Sequence, residues 1–516
     1  MVKKHISVAA AAWCAAAIGS VVSARTSDRP DIILFMVDDM GWQDTSVPFA
    51  GDTTAYNRMF RTPNMERLAA RGTKFTQAYA CAISSPSRCS LFTGANNARH
   101  RVTNWTLERD KTTDIPVDSM ILPEWNLNGI ATVPGVPLTY YGRSFVDALR
   151  ESGYHTIHCG KAHLGAIDTP GENPAHWGFE TNIAGHAGGG LATYLSENRY
   201  GHDAEGNPYS LLAIPGLERY WDSGVFATEA LTREAIKALD KARAYDQPYF
   251  LYMSHYAVHI PIDRDERFYQ SYIDCGYSPK EAAYASLVEG MDKSLGDIMD
   301  WVDANGRADN TIIIFMSDNG GLATQPAWRD GEPFTQNAPL RSGKGSLLEG
   351  GVREPMIVSW PGVTSPATSI DSAYVMIEDF YPSILDMAGV PVVADSVRPI
   401  DGISFVPLLR GESAGDSERE IIWNFPNVWG NNGPGINLNC AIRRGPWKLI
   451  YSYADGAKEL YNVVTDISET RNLADTYPSV TDFLSSRLGT RLREMNAQRP
   501  SFASTGAPCP WPDELP

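Results

Sequence analysis

Thr311-Ile312-Ile313-Ile314-Phe315-Met316-Ser317-Asp318-Asn319-Gly320 sets a β-branched and apolar run directly against four small polar residues. A continuous run of that length, without polar alternation, suits a strand buried on both faces. Three other stretches repeat the pattern. Residues 32–37 run into Asp38-Asp39, 156–159 into Gly160-Lys161-Ala162-His163, and 249–253 into Ser254-His255, with His259 shortly after. Between them, 228–244 mixes charges with Leu231, Ile236 and Leu239. Residues 280–304 place Tyr284, Leu287, Met291, Leu295, Ile298 and Val302 at spacings of three and four, as an amphipathic helix requires. Strands alternating with helices predict an α/β fold with a large, mainly parallel central sheet flanked by helices. In such sheets the ligand lies beyond the carboxyl ends of the strands. The polar tips all sit at that end, so acids, lysines and histidines far apart in sequence are expected in one cleft.

From about residue 416 the texture changes. Residues 420–423, 447–452 and 459–463 read as short strands between Gly, Asn and Asp turns, and 479–496 as a charged helix. The Pro-rich tail, 499–516, reads as loose. This predicts a smaller C-terminal unit, an antiparallel sheet plus a helix. A chain of 516 residues exceeds the usual single-domain size. The expected division is 25–415 and 416–516, after a leader at 1–24. Lys3 and Lys4, the apolar run 8–22 and Val22-Ser23-Ala24 form that leader, an export signal with a small-residue cleavage site. The expected location is periplasmic or extracellular, without stable membrane insertion.

The net charge of −17 argues against nucleic acid as a partner, since that needs a basic footprint. It leaves room for a small anion held by a few focused cations. Beyond Cys14, six cysteines are spread too widely for a dense disulfide framework, and no CxxC pair suggests zinc; one or two bridges remain open.

Asp38-Asp39 and Asp318-Asn319 concentrate three carboxylates and an amide oxygen where burial is expected, which calls for a cation. Such a hard-oxygen set suits Ca²⁺ or Mg²⁺ better than zinc. In Ser84-Ser85-Pro86-Ser87-Arg88-Cys89-Ser90-Leu91-Phe92-Thr93-Gly94, Ser85 can cap a helix that Thr93-Gly94 closes, leaving Ser84 at the positive end of its dipole. An ordinary capped helix does not account for Arg88, a cation disfavoured near that end.

Ser84-x-Pro86-Ser87-Arg88 followed by Thr93-Gly94 resembles the signature of the type I sulfatases, within the alkaline phosphatase superfamily. Further matches run along the chain in that family's order: Asp38-Asp39, Gly160-Lys161-Ala162-His163-Leu164-Gly165, His259-Ile260-Pro261, Ser317-Asp318-Asn319-Gly320, and Gly343-Lys344-Gly345 with Glu349-Gly350-Gly351-Val352-Arg353. Trp447-Lys448-Leu449 and Glu459-Leu460-Tyr461 also match. Two departures stand out. Ser84 occupies a position more often Cys, as in bacterial Ser-type members, and Ala162 stands where Trp is common.

The resemblance implies a sulfuric ester hydrolase whose residue 84 is oxidised to formylglycine by a dedicated maturation enzyme. It implies one Ca²⁺ held by Asp38, Asp39, Asp318 and Asn319, with residue 84 also bound to it. It further implies Asp318 as the base in attack on sulfur and His259 as proton donor to the leaving oxygen. Lys344 then lies on the sulfate, His163 takes a proton when sulfate is released, and Arg88 and Lys161 steady the charge. Two rivals stand beside it: a phosphoesterase of the same superfamily with two zinc ions, and a secreted glycan-binding protein with Ser84 unmodified. The expected substrate is a sulfated polysaccharide or oligosaccharide. Aromatic and polar residues in 104–105, 125–128, 140–141 and 424–432 are candidates for a sugar subsite.

Overall fold

The computed structural model describes residues 29–245, 247–323, 337–393, 398–430 and 433–515. The expected leader at 1–24, with Cys14, lies outside the described residues, as do 431–432 of the last sugar-subsite candidate.

The four strand-like runs form adjacent members of one nine-stranded sheet. Asp31–Val37 lies at its centre, parallel to Thr311–Ser317 on one side and to Tyr249–Ser254 on the other. His155–Gly160 and Thr181–Ile183 extend the parallel block. Alternate residues of the central strand serve opposite faces. Ile32, Leu34 and Met36 enter one apolar cluster, and Ile33, Phe35 and Val37 another. Both faces are therefore covered, which is why the run shows no polar alternation. The second cluster holds the amphipathic helices Ala227–Ala242 and Pro279–Ala304. The latter starts with a capping box between Ser278 and Glu281.

Five of the nine strands of the sheet escaped the sequence reading, and the two longest of them lie side by side. Arg353–Ser359 runs antiparallel to Thr311–Ser317, and Thr73–Tyr79 antiparallel to Arg353–Ser359. They make the sheet mixed, although the parallel block keeps the polar tips at one end.

The C-terminal sheet is antiparallel, in the order Glu420–Phe425, Asn439–Arg444, Trp447–Ser452 and Lys458–Asn462. Its second strand was also missed. One face, through Ile421, Trp423, Ala441 and Ile450, joins the apolar cluster of the Ser84–Thr93 helix. The other face packs on the helix Pro478–Glu494 through Leu484, Leu488 and Leu492. The expectation of a loose tail needs correction. Ser501–Phe502 pairs with Met120–Ile121, Trp511 and Cys509 are buried, and Arg493 and Arg499 hold Asp513 and Glu514. Pro500, Pro508, Pro510 and Pro512 sit in an ordered strap. The six cysteines of the described residues are all free thiols, so the bridges left open by the sequence do not form among them.

Candidate active site

The chain turns sharply at each strand tip. Asp39 adopts φ 60°, and backbone bonds from Asp38 N to Ala257 O and from Asp318 N to Val37 O carry the ladders past the strand ends. The acids of two neighbouring strands are thereby held side by side. The helix Ser84–Thr93 is buried throughout and closes at Gly94, φ 67°, as expected. Its start differs from the sequence reading. The helix begins at Ser84, and Ser85 makes no cap; its Oγ lies 2.9 Å from His163 Nε2 and accepts from Thr106 N. Tertiary partners outcompeted the local cap.

Every site residue expected from sequence reaches this cleft. Ser84 Oγ lies 3.2 Å from Asp38 Oδ1, 3.0 Å from Asn319 Oδ1 and 3.0 Å from Lys161 Nζ. Lys161 Nζ is 2.8 Å from both Asp38 carboxylate oxygens. Lys344 Nζ sits 2.6 Å from Asp39 Oδ1, and Asn319 Nδ2 donates to the same oxygen. Arg88, wholly buried, donates from Nε to Asp318 Oδ2 at 2.9 Å and from Nη1 to Tyr252 Oη and Ser254 Oγ. This answers the puzzle of a cation near a helix N-terminus: Arg88 pairs with a buried carboxylate. Tyr252 and Ser254 are the supports that sequence reasoning missed; their place at a strand tip was the available signal.

Burial, reinforced by Asp318 and Asp39, pushes the Asp38 carboxyl up to about 7, with Lys161 only partly offsetting it. Burial acts the same way on Asp39, but the cations Lys344 and Lys161 outweigh it and hold that group below the usual carboxylate range. Burial, with Lys344 beside it, pushes His259 down to about 3, so its ring is neutral. Its Nδ1 faces the Ile260 carbonyl at 2.8 Å and so carries the proton; Nε2 then turns a lone pair toward Asp39 Oδ2, 3.6 Å away. A lone pair facing a carboxylate, among three buried carboxylates and an amide oxygen, is an arrangement that a cation relieves. Asp38, Asp39 and His259 offer atoms within 4.8 Å of one another. The oxygen-rich set fits a hard divalent cation. His259 adjoins that set, although the ligands read from sequence were Asp38, Asp39, Ser84, Asp318 and Asn319.

Ser84, His163, His259 and Lys344 form the floor of a 350 Å³ cavity walled by Trp105, Ile115, Trp429 and neighbouring apolar residues. Of the sugar-subsite candidates, 104–105 and 424–430 reach this cavity through Trp105 and Trp429. Trp125 is core, and Tyr140 borders a separate cavity. A larger cavity, 530 Å³, lies between Glu378 and the helix Pro478–Glu494, away from the acids.

Fold and site together define a hydrolase of sulfuric esters, and the chain belongs to the sulfatase family of the alkaline phosphatase superfamily. The sulfatase family model matches residues 30–390, and the model of the N-sulphoglucosamine sulphohydrolase C-terminal region matches 343–498. A sulfatase of Formosa agariphila is 29% identical over 501 residues, 88% of this chain and 86% of that protein. The N-acetylgalactosamine-6-sulfatase of Canis lupus familiaris is 28% identical, over 81% of this chain and 76% of that protein. The crystal structure of Ps i-CgsB, also solved in complex with k-i-k-neocarrahexaose, superposes with a TM-score of 0.70 at 26% identity, covering 90% of this chain and 93% of that one.

Proposed function

We propose that this sulfatase is exported, binds one Ca²⁺, and removes sulfate from a sulfated polysaccharide or oligosaccharide, with Ser84 converted to formylglycine by a maturation enzyme. The observation that carries the reading is the meeting of the Ser84 hydroxyl with Asp38, Asn319 and Lys161 on the cavity floor. Asp38, Asp39, Asp318 and Asn319, with residue 84, would hold the cation. When present, the cation polarises a sulfate oxygen, and the hydrated aldehyde supplies a nucleophilic hydroxyl with a second hydroxyl beside it.

The remaining roles fall to side chains. Lys161 and Lys344 place positive charge on the floor, against the negative charge of a sulfate ester. Arg88 fixes Asp318, the base of the attack, through Nε. His259 Nε2, unprotonated in the resting site and 3.6 Å from Asp39, would take up a proton from water as the anionic ester enters beside it and pass that proton to the departing oxygen. His163 Nε2 lies 3.0 Å from the Thr106 carbonyl, which places its proton there and leaves buried Nδ1, without a partner, as the proton acceptor. Burial keeps this imidazole well below its usual pKa, hence neutral.

The glycan reading is supported by a relative named for N-acetylgalactosamine-6-sulfate and by the neocarrahexaose complex of Ps i-CgsB. No described helix is long and apolar enough to cross a membrane. The division into a leader at 1–24 and units at 25–415 and 416–516 completes the proposal. Mass spectrometry of the peptide holding residue 84, with elemental analysis of the same sample, tests it. The expected result is a mass loss matching oxidation of serine to an aldehyde, and one calcium per chain. Unmodified serine in active enzyme, or two zinc ions per chain, would overturn it.

A further inference from the structure

We infer that Trp105 and Trp429 form an aromatic subsite that stacks on the sulfated sugar ring, and that Asp114 is the positioning residue that holds both. The inference rests on the glycan reading above and assigns the part of the site that recognises the ring rather than the sulfate.

Both tryptophans line the cavity whose floor is Ser84, His163, His259 and Lys344. Each is partly buried and packs against the larger apolar cluster, so each is backed by core and open on its remaining surface. Ile115, 48% exposed, lines the same cavity. Lys344 Nζ lies 5.7 Å from the centre of the Trp429 ring, tying this wall to the cation at the floor. An exposed apolar wall beside a charged floor suits a ligand with one anionic substituent and a face of C–H bonds. A sulfated pyranose answers that description.

The two tryptophans lie more than 300 residues apart, and Asp114 links their segments. Its Oδ1 accepts from Asn104 Nδ2 at 2.7 Å, and Asn104 Oδ1 accepts from the Trp105 backbone N–H. Its Oδ2 accepts from Asn427 Nδ2 at 3.1 Å, two residues before Trp429, and from Trp125 Nε1 at 2.9 Å. On either side, Thr113 Oγ1 donates to the Trp105 carbonyl and Ile115 N to the Val428 carbonyl. Asn104 and Asn427 are wholly buried. One carboxylate thus registers both walls, and none of its bonds reaches the cation site.

The test measures competitive inhibition of the mature enzyme, assayed on an activated aryl sulfate, by inorganic sulfate and by galactose and glucosamine monosulfates. Inorganic sulfate reports the floor alone, and the sugar sulfates report floor plus walls. At least one sugar sulfate should bind the wild type more tightly than inorganic sulfate does. Asp114→Asn and Trp105→Ala should weaken that sugar sulfate about five- to tenfold, while inorganic sulfate changes by less than about twofold. Trp429→Phe, which keeps a ring face, should retain most of the preference. An unchanged preference in Asp114→Asn and Trp105→Ala overturns the subsite and leaves the glycan reading standing. A wild type that prefers no sugar sulfate over inorganic sulfate overturns both.

Discussion

At residue 84 the hydroxyl is surrounded by Asp38, Asn319 and Lys161, whereas the adjacent Ser85 hydroxyl is engaged by His163 and the Thr106 backbone. Ser84→Ala should therefore abolish sulfate-ester hydrolysis with thermal unfolding unchanged; activity near wild type in the purified variant would sink the mechanism. His259 offers a sharper test. A sugar alkoxide leaves poorly and needs a proton, whereas an aryl oxide leaves with little help. His259→Ala should damage turnover of a glycan sulfate far more than turnover of an activated aryl sulfate, while Lys161→Ala should damage both alike. Equal losses in His259→Ala would remove it from the proton-donor role. A third test concerns Glu378, far from the acids. Burial, with Asp379 close by, pushes its carboxyl up to about 8 against an ordinary 4.5, and its Oε2 has no hydrogen-bond partner. Below pH 4.5 the group is protonated whether folded or unfolded. From there to about pH 8 the unfolded chain releases the proton and the fold retains it, so stability falls as pH rises through that window. Glu378→Gln should remove a slope of up to about 1.4 kcal/mol per pH unit. Denaturation midpoints at pH 5 and pH 8 decide it, and an unchanged slope in the variant would dismiss the buried acid.

Two-sided burial made most of the long strands legible in the sequence, but Arg353–Ser359, equally buried, was missed because Arg353, Glu354 and Pro355 interrupt its apolar run. Asp31–Val37 and Thr311–Ser317 read as strands because both faces meet core. Thr73–Tyr79 was missed because alternate positions are only half buried at the sheet margin, which leaves a mixed polar pattern. Asn439–Arg444 begins with Asn, a residue depleted in strands, and ends in two charged arginines, which leaves a short apolar stretch between them. At the site, the residue types and strand-tip positions were readable, and so was the aromatic content of the wall. What was not readable was partnership: Ser85 fits a local cap by every sequence rule, yet serves His163 and Thr106 instead. Gly160 shows how tightly one tip is built. It adopts φ 101°, and a Cβ there would lie 1.9 Å from the Ser254 carbonyl oxygen, on the backbone that also accepts from Lys161 N. Gly160→Ala should cost about 1–3 kcal/mol and displace Lys161, lowering kcat on glycan and aryl sulfates together. A variant of wild-type stability and rate would show that the tip can relax.

At the scale of the whole molecule, one buried lysine of the C-terminal sheet pairs with an acid of the catalytic half. Lys448 Nζ is wholly buried, 2.9 Å from Glu349 Oε1 and 3.2 Å from Glu469 Oε1, and Glu349 N donates to Glu469. Burial pushes Glu469 up to about 7, while the neighbouring Lys448 and Arg353 overcome burial and hold Glu349 down to about 2. Lys448→Met strands a buried negative charge and should cost about 3–5 kcal/mol. Adding Glu469→Gln should recover part of that loss in a denaturation series; no recovery would mean that packing, not charge, carries the effect. The unpaired cysteines have a practical consequence for following such changes. Five of the six thiols in the described residues are buried, and Cys275 alone is exposed. Folded protein without its leader should thus take up one equivalent of a maleimide dye, at the end of the helix Tyr269–Asp274. The other five should react only as the chain opens. Because Cys81 and Cys89 flank Ser84, Cys159 sits at a strand tip, and Cys440 and Cys509 belong to the C-terminal part, the order of labelling under mild denaturant would show which part of the protein comes apart first.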